Sequence, residues 1–155
     1  MRGQLEKVEK DPSTTQHLIQ KDLDAGFVFE VTGGLENAKA RWGANVAVGK
    51  LNLALAEGKD PRLVLGSSIP NVNPKVCIKE KVENPTVGSV RSCLTNIQGS
   101  SRYVAFSLDV QAAHKRVKVR HRDQGLLLFS HQNKLYTYAV CHFGGGPFPR
   151  IGGHV

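Results

Sequence analysis

Apolar residues recur along this chain in short bursts whose spacing changes from one segment to the next. The first dozen residues are charged and end in Asp11-Pro12, which predicts a solvated lead-in. Leu18, Ile19 and Leu23 then share one helical stripe, so a helix capped by Ser13 or Thr14 and stopped near Gly26 is expected. Phe27 to Val31 reads as a short strand. Leu35 to Trp42 is a second helical pattern, closed by Gly43. Val46 to Ala56 is strand-like. The turn chemistry of Glu57-Gly58-Lys59-Asp60-Pro61 sends it back through Arg62-Leu63-Val64-Leu65 as a hairpin.

Further along, Ser67 to Pro74 has loop composition, Val76 to Ile78 is a short strand, and Pro85 opens a helix through Val87, Val90, Arg91 and Leu94. Tyr103 to Leu108 is an apolar, strand-like run that ends at Asp109, and Val110 to His114 follows with good helix formers. Val117 and Val119 alternate with Lys118 and Arg120, the pattern of a half-buried strand with one charged face. Gly125 to Phe129 and Leu135 to Val140 flank Gln132-Asn133-Lys134 as a second hairpin, before a Gly/Pro-rich tail. Strands and helices mix without the regular alternation of a doubly wound sheet, so the expected class is α+β, one structural unit overall.

Composition narrows the function classes. With 155 residues and 40% hydrophobic content the chain suits one ordinary domain with a core. The 21 basic against 13 acidic side chains give +8, a balance that favours a polyanionic partner, of which nucleic acid is the commonest. No apolar run approaches the ~20 residues of a membrane span. The amino terminus lacks the apolar core of a signal peptide, so no membrane role and an intracellular location, nucleus or cytoplasm, are expected. Cys77, Cys93 and Cys141 are odd in number and far apart, which gives poor support to a disulfide framework or a zinc site.

The candidate chemistry centres on Asp109. A carboxylate at a strand end, followed by Lys115, Arg116, Lys118, Arg120 and Arg122, suits a divalent ion that handles phosphates, because magnesium prefers one or two carboxylates plus phosphate oxygens. Asp109 is equally placed to cap the helix expected after it. The five cations read either as a solvated face or as a phosphate-reading surface without sequence preference. A nucleophile–base pair of Cys141 and His142 is a poor alternative, since neighbours on a strand point to opposite faces.

Three stretches in order resemble the reverse transcriptases (RNA-directed DNA polymerases) of retroelements. Arg62-Leu63-Val64-Leu65-Gly66-Ser67-Ser68-Ile69-Pro70-Asn71-Val72-Asn73 is similar to a fingers segment. Phe106-Ser107-Leu108-Asp109-Val110-Gln111-Ala112-Ala113-His114 is similar to the first palm motif. Tyr138-Ala139-Val140-Cys141-His142-Phe143-Gly144 is similar to the approach to the next. The resemblance runs from about Gly26 to Phe143. It implies a lead-in with a first helix over 1–25, a fingers-like region over 26–100 and an incomplete palm-like region over 101–155.

The resemblance also implies roles. Asp109 and the backbone carbonyl of Val110 would face Mg2+ or Mn2+. Arg62 would grip the triphosphate of a deoxynucleotide, a task for which a guanidinium fork is well shaped. Lys50 or Lys59 would add a point charge. His114 would stand where a bulky side chain excludes the ribose 2′-hydroxyl. Gly144 would lie against template and incoming base. An RNA or DNA template-primer would be the macromolecular partner. Gly66 departs from the acidic residue common in that family, and Gly145-Gly146-Pro147 departs from its next motif. No Tyr-x-Asp-Asp-like pair is present, so the expectation is a fragment inactive in polymerisation by itself. The competing expectation is a small basic nucleic-acid-binding module without catalysis.

Overall fold

The computed structural model describes residues 4–8, 10–66, 72, 86–95 and 108–144, with the backbone alone for 4–7 and 93–95. The expected loop at Ser67–Pro74 (Val72 apart), the strands at Val76–Ile78 and Tyr103–Ser107, and the tail after Gly144 lie outside the described residues.

Among the described residues six strands join in one sheet: β1 (Gln4–Lys7), β2 (Val28–Glu30), β3 (Val48–Ala56), β4 (Lys59–Gly66), β5 (Leu128–His131) and β6 (Lys134–Tyr138). Their order is β1-β3-β5-β6-β2, with β4 also paired to β3. Every pairing is antiparallel except β3 with β5, which runs parallel over Val48↔Leu128 and Gly49↔Phe129. The sheet is therefore mixed, and together with the helices it fits the α+β class. It takes strands from all three sequence segments, 1–25, 26–100 and 101–155.

The expected lead-in is not wholly solvated. Gln4–Lys7 pairs with β3 in the register Leu5↔Ala54. Charged side chains hid this strand, because an edge strand needs only its backbone groups to join a ladder. Both hairpins form as the sequence suggests. In β3–β4, Leu51 faces Leu65 and Leu53 faces Leu63, all four buried, so the period of two is read directly as one inward face. In β5–β6 the loop is two residues, Gln132 and Asn133, both at positive φ (48° and 61°), the backbone that suits the twist of a tight hairpin. Lys134 belongs to β6, not to the turn.

Helix α1 (Pro12–Asp24) covers one face of the sheet through Ile19, and α2 (Gly34–Trp42) covers the other through Ala38 and Trp42. The α1 cap is Asp11, not Ser13 or Thr14: its Oδ1 accepts the Thr14 N–H at 3.0 Å, and Pro12 occupies the first turn where no donor is needed. Hydrogen bonds from Thr14 and Ser13 hold the Asp11 carboxyl below its ordinary range. β5 serves both cores by simple alternation. Phe129 joins Ile19, Leu53, Tyr136 and Tyr138 on the α1 side, and Leu128 joins Val31, Ala38 and Trp42 on the α2 side. The Phe129 ring lies 5.4 Å from Tyr136 and 5.3 Å from Tyr138, offset contacts typical of aromatic pairs. Helix α3 (Val87–Thr95) begins close to its expected place, with Val87 and Val90 exposed.

Candidate functional site

A cleft of about 340 Å³ opens where α1, β4 and the segment after Asp109 meet. Its walls are Leu18, Lys21, Asp22, Ala25 and Phe27 from the first helix and its exit, Pro61, Arg62 and Leu63 from β4, and Gln111, Ala112, Lys115, Arg116 and Phe143. Among the charged side chains of these walls the cations Lys21, Arg62, Lys115 and Arg116 outnumber the one carboxylate, Asp22.

Arg62 reaches this cleft because β4 places it one residue out of the inward series Leu63 and Leu65, on the strand's exposed side. Its guanidinium sits 5.5 Å above the Phe143 ring. Phe143 also meets His114, ring centre to ring centre at 3.9 Å. The backbone helps to fix this arrangement, since the Leu65 N–H donates to the Phe143 carbonyl at 2.9 Å. His114 is half-buried. Burial lowers its pKa, with Lys115 beside it acting the same way and Asp22 opposing, so the imidazole favours its neutral form.

The helix expected over Val110–His114 does not form. Gln111 and Ala112 make a turn, Ala112 lies at φ 52°, and a single 3₁₀ segment spans Ala113–Arg116. Asp109 therefore does not act as a helix cap; no side chain caps that segment. Tertiary contacts override the local helix preference. Lys115 is drawn to Asp22 as an ion pair and lies 5.3 Å over the Phe27 ring, while His114 is held by Phe143.

Asp109 and Val110 are exposed, and neither lines the cleft. Among the described residues no group of three His, Cys, Asp or Glu side chains gathers where a metal ion could sit. One exposed carboxylate does not hold two divalent ions, so these residues alone do not compose the Mg2+ or Mn2+ site that the resemblance implies for Asp109 and the Val110 carbonyl. Lys50 and Lys59 lie on β3 and β4, both exposed and outside the cleft walls. Gly144, at φ 99°, approaches the β4 backbone so closely that a Cβ would fall 2.2 Å from the Leu65 carbonyl oxygen. The close approach expected of this glycine is thus made to its own sheet.

The five cations separate into two kinds. Lys115 is partly buried and paired with Asp22, while Arg116, Lys118, Arg120 and Arg122 are exposed. The expected strand shrinks to one bridge, Lys118↔Val140, flanked by Val119 N–H to the Ala139 carbonyl and Cys141 N–H to the Val117 carbonyl, both 2.9 Å. Beyond it a 3₁₀ segment runs from His121 to Leu127. The alternation still holds: Val117 and Val119 turn inward, Lys118 and Arg120 outward. Arg41 extends this basic surface from α2, packed 4.9 Å over Trp42 and 2.7 Å from His121 Nε2.

Cys141 and His142 are both buried, which sets them away from nucleophilic chemistry. Burial pushes the Cys141 thiol up and the His142 imidazole down to about 4. His142 Nδ1 donates to the Phe143 carbonyl at 2.8 Å.

Sequence reasoning missed Asp22 and Phe143 as cleft residues. Asp22 stands three positions after Ile19, so it shares the buried face of α1, and a carboxylate on an apolar stripe was the available signal. Phe143 left no such sign, because an aromatic beside a glycine-rich tail fits many roles. Among the described residues no helix is long and apolar enough to cross a membrane. The chain matches no family model, no curated protein sequence and no solved structure.

Proposed function

We propose that this chain is a reverse-transcriptase-like fragment, comprising fingers and the start of a palm, whose cleft takes the phosphates of a deoxynucleotide. One observation carries the reading. One residue from each of the three separated stretches that resemble that family comes to the same place: Arg62 and His114 both meet the Phe143 ring, and Arg62 and Phe143 line the basic cleft. The guanidinium over Phe143 presents donors in a planar fork suited to a phosphate, and Lys21 and Arg116 line the same opening. Arg116, Lys118, Arg120 and Arg122 then form the surface for the template-primer backbone.

Two divalent ions supply in-line phosphoryl displacement in polymerases, and that chemistry needs more carboxylates than Asp109. Among the described residues no such cluster gathers, so on this reading the chain binds without polymerising. The test is equilibrium binding of a deoxynucleoside triphosphate, alongside primer extension on an RNA template with magnesium or manganese. Arg62→Ala should weaken triphosphate binding about tenfold or more, in line with removal of a charge-assisted hydrogen bond. Unchanged binding in that variant refutes the assignment of the cleft, and template-directed extension refutes the claim of inactivity. Nucleic acid binding that is insensitive to Arg62 while triphosphate binding is absent favours the basic binding module without catalysis.

A further inference from the structure

A basic cleft built for phosphates has no need of a buried carboxylate, yet Asp22 lies in its wall with 5% of its surface exposed. It is held there by the apolar face of α1 that it shares with Ile19. Its Oδ1 is ion-paired to the Nζ of Lys115, a side chain about four-fifths covered whose ammonium lies over the Phe27 ring. Lys115 thus stands in the cleft with its charge already matched, whereas Arg62 and Arg116 are exposed. A ligand anion that takes Lys115 as its own counter-ion draws it away from Asp22. That exchange leaves a buried carboxylate without its partner, a costly state in a low-dielectric setting.

We propose that Asp22 is the selectivity determinant of this cleft, an internal counter-ion that competes with the anionic ligand for Lys115. The inference rests on reading the cleft as a phosphate site. Anions that engage Arg62 and Arg116 and also supply further charge for Lys115, such as a polyphosphate, overcome the competition. An anion of low charge does not. Asp22 acts through Lys115 and is not a contact to the ligand.

The test uses the full chain and inorganic tripolyphosphate as probe, titrated by calorimetry in a double-mutant cycle of Asp22→Asn and Lys115→Met. Asp22→Asn should bind tripolyphosphate about tenfold more tightly than the natural chain, the low end of what close charge pairs contribute. In the Lys115→Met background the same change should have almost no effect, because nothing remains to compete for. Far-UV circular dichroism checks each fold, and where Lys115→Met does not fold, the comparison of the natural chain with Asp22→Asn decides alone. Equal binding by the natural chain and Asp22→Asn overturns the inference. A gain that persists in Lys115→Met also overturns it, since simple long-range repulsion by Asp22 would then be the cause. If neither the natural chain nor Asp22→Asn binds tripolyphosphate, the phosphate reading of the cleft fails, and this inference with it.

Discussion

His142 makes the fold acid-labile in a way that can be sized from its surroundings. The imidazole is 2% exposed, packs 5.1 Å from the Tyr138 ring and donates from Nδ1 to the Phe143 carbonyl. Burial lowers its pKa from 6.5 to about 4, outweighing the opposing carbonyl of Phe143, and the nearby His114 adds to the lowering. The unfolded chain takes up this proton near the ordinary value and the folded chain only near the lowered one. Between the two, the unfolded state holds more protons, so stability falls as pH decreases through that window. At about 1.4 kcal/mol per pH unit across that window, stability drops by about 2 kcal/mol by pH 5 and by about 3 kcal/mol at its full extent. A domain of this size commonly has only about 5–15 kcal/mol in total, so the effect is large enough to measure. Urea unfolding at about pH 7.5, 6 and 5, followed by the single Trp42 and by far-UV circular dichroism, gives the stability at each pH. His142→Asn keeps an amide donor near the position of Nδ1 for the Phe143 carbonyl and removes the titration. Its stability should depend on pH less than that of the natural chain, by about 2 kcal/mol between pH 7.5 and 5. Burial also lowers the pKa of His114 and His131, so some slope of the same sign remains in both proteins. Parallel pH curves for the two proteins would refute the assignment of the acid sensitivity to His142.

Two further expectations concern packing and charge. Gly125 is fully enclosed: a Cβ there would lie 2.1 Å from the Asn45 carbonyl oxygen and 2.8 Å from Trp42. Gly125→Ala should therefore cost about 1–3 kcal/mol or more in a thermal melt, whereas Gly88→Ala, with only Thr86 Oγ1 at 3.5 Å, should leave the melt unchanged or raise it; equal effects would contradict the close approach. Lys118→Glu with Arg120→Glu should leave stability within about 0.5 kcal/mol, as for other exposed sites. It should also weaken binding to single-stranded RNA and make the plot of log affinity against log salt shallower, by roughly 0.7 for each phosphate that the variant no longer neutralises. An unaltered salt slope would exclude that face from the interface.

Much of the architecture could be read along the chain, because it rests on local periodicity. Leu51 and Leu53 alternate with Asn52 and Ala54, and turn residues separate them from the apolar run Leu63-Val64-Leu65, a pattern that marks two facing strands. The stripe of α1, the closing glycine of α2 and the Gln132-Asn133 turn are likewise properties of adjacent residues. The alternation of Val117 and Val119 with Lys118 and Arg120 foretold which side of that segment faces water.

What the chain could not disclose by itself came from partners distant in sequence. β1 joins the sheet through backbone groups that leave no mark in side-chain pattern. The helix expected after Asp109 yields to a 3₁₀ turn because Lys115 is held by Asp22 and His114 by Phe143, pairings between segments far apart along the chain. For the same reason one of five adjacent cations is a partly buried strut and the other four are solvated. Local propensity ranks conformations by fractions of a kcal/mol per residue, and a single buried ion pair or ring contact is enough to reverse that order. Helical and strand identity were thus written in neighbouring residues, while the composition of the cleft was decided only when α1, β4 and the Ala113–Arg116 turn were brought together.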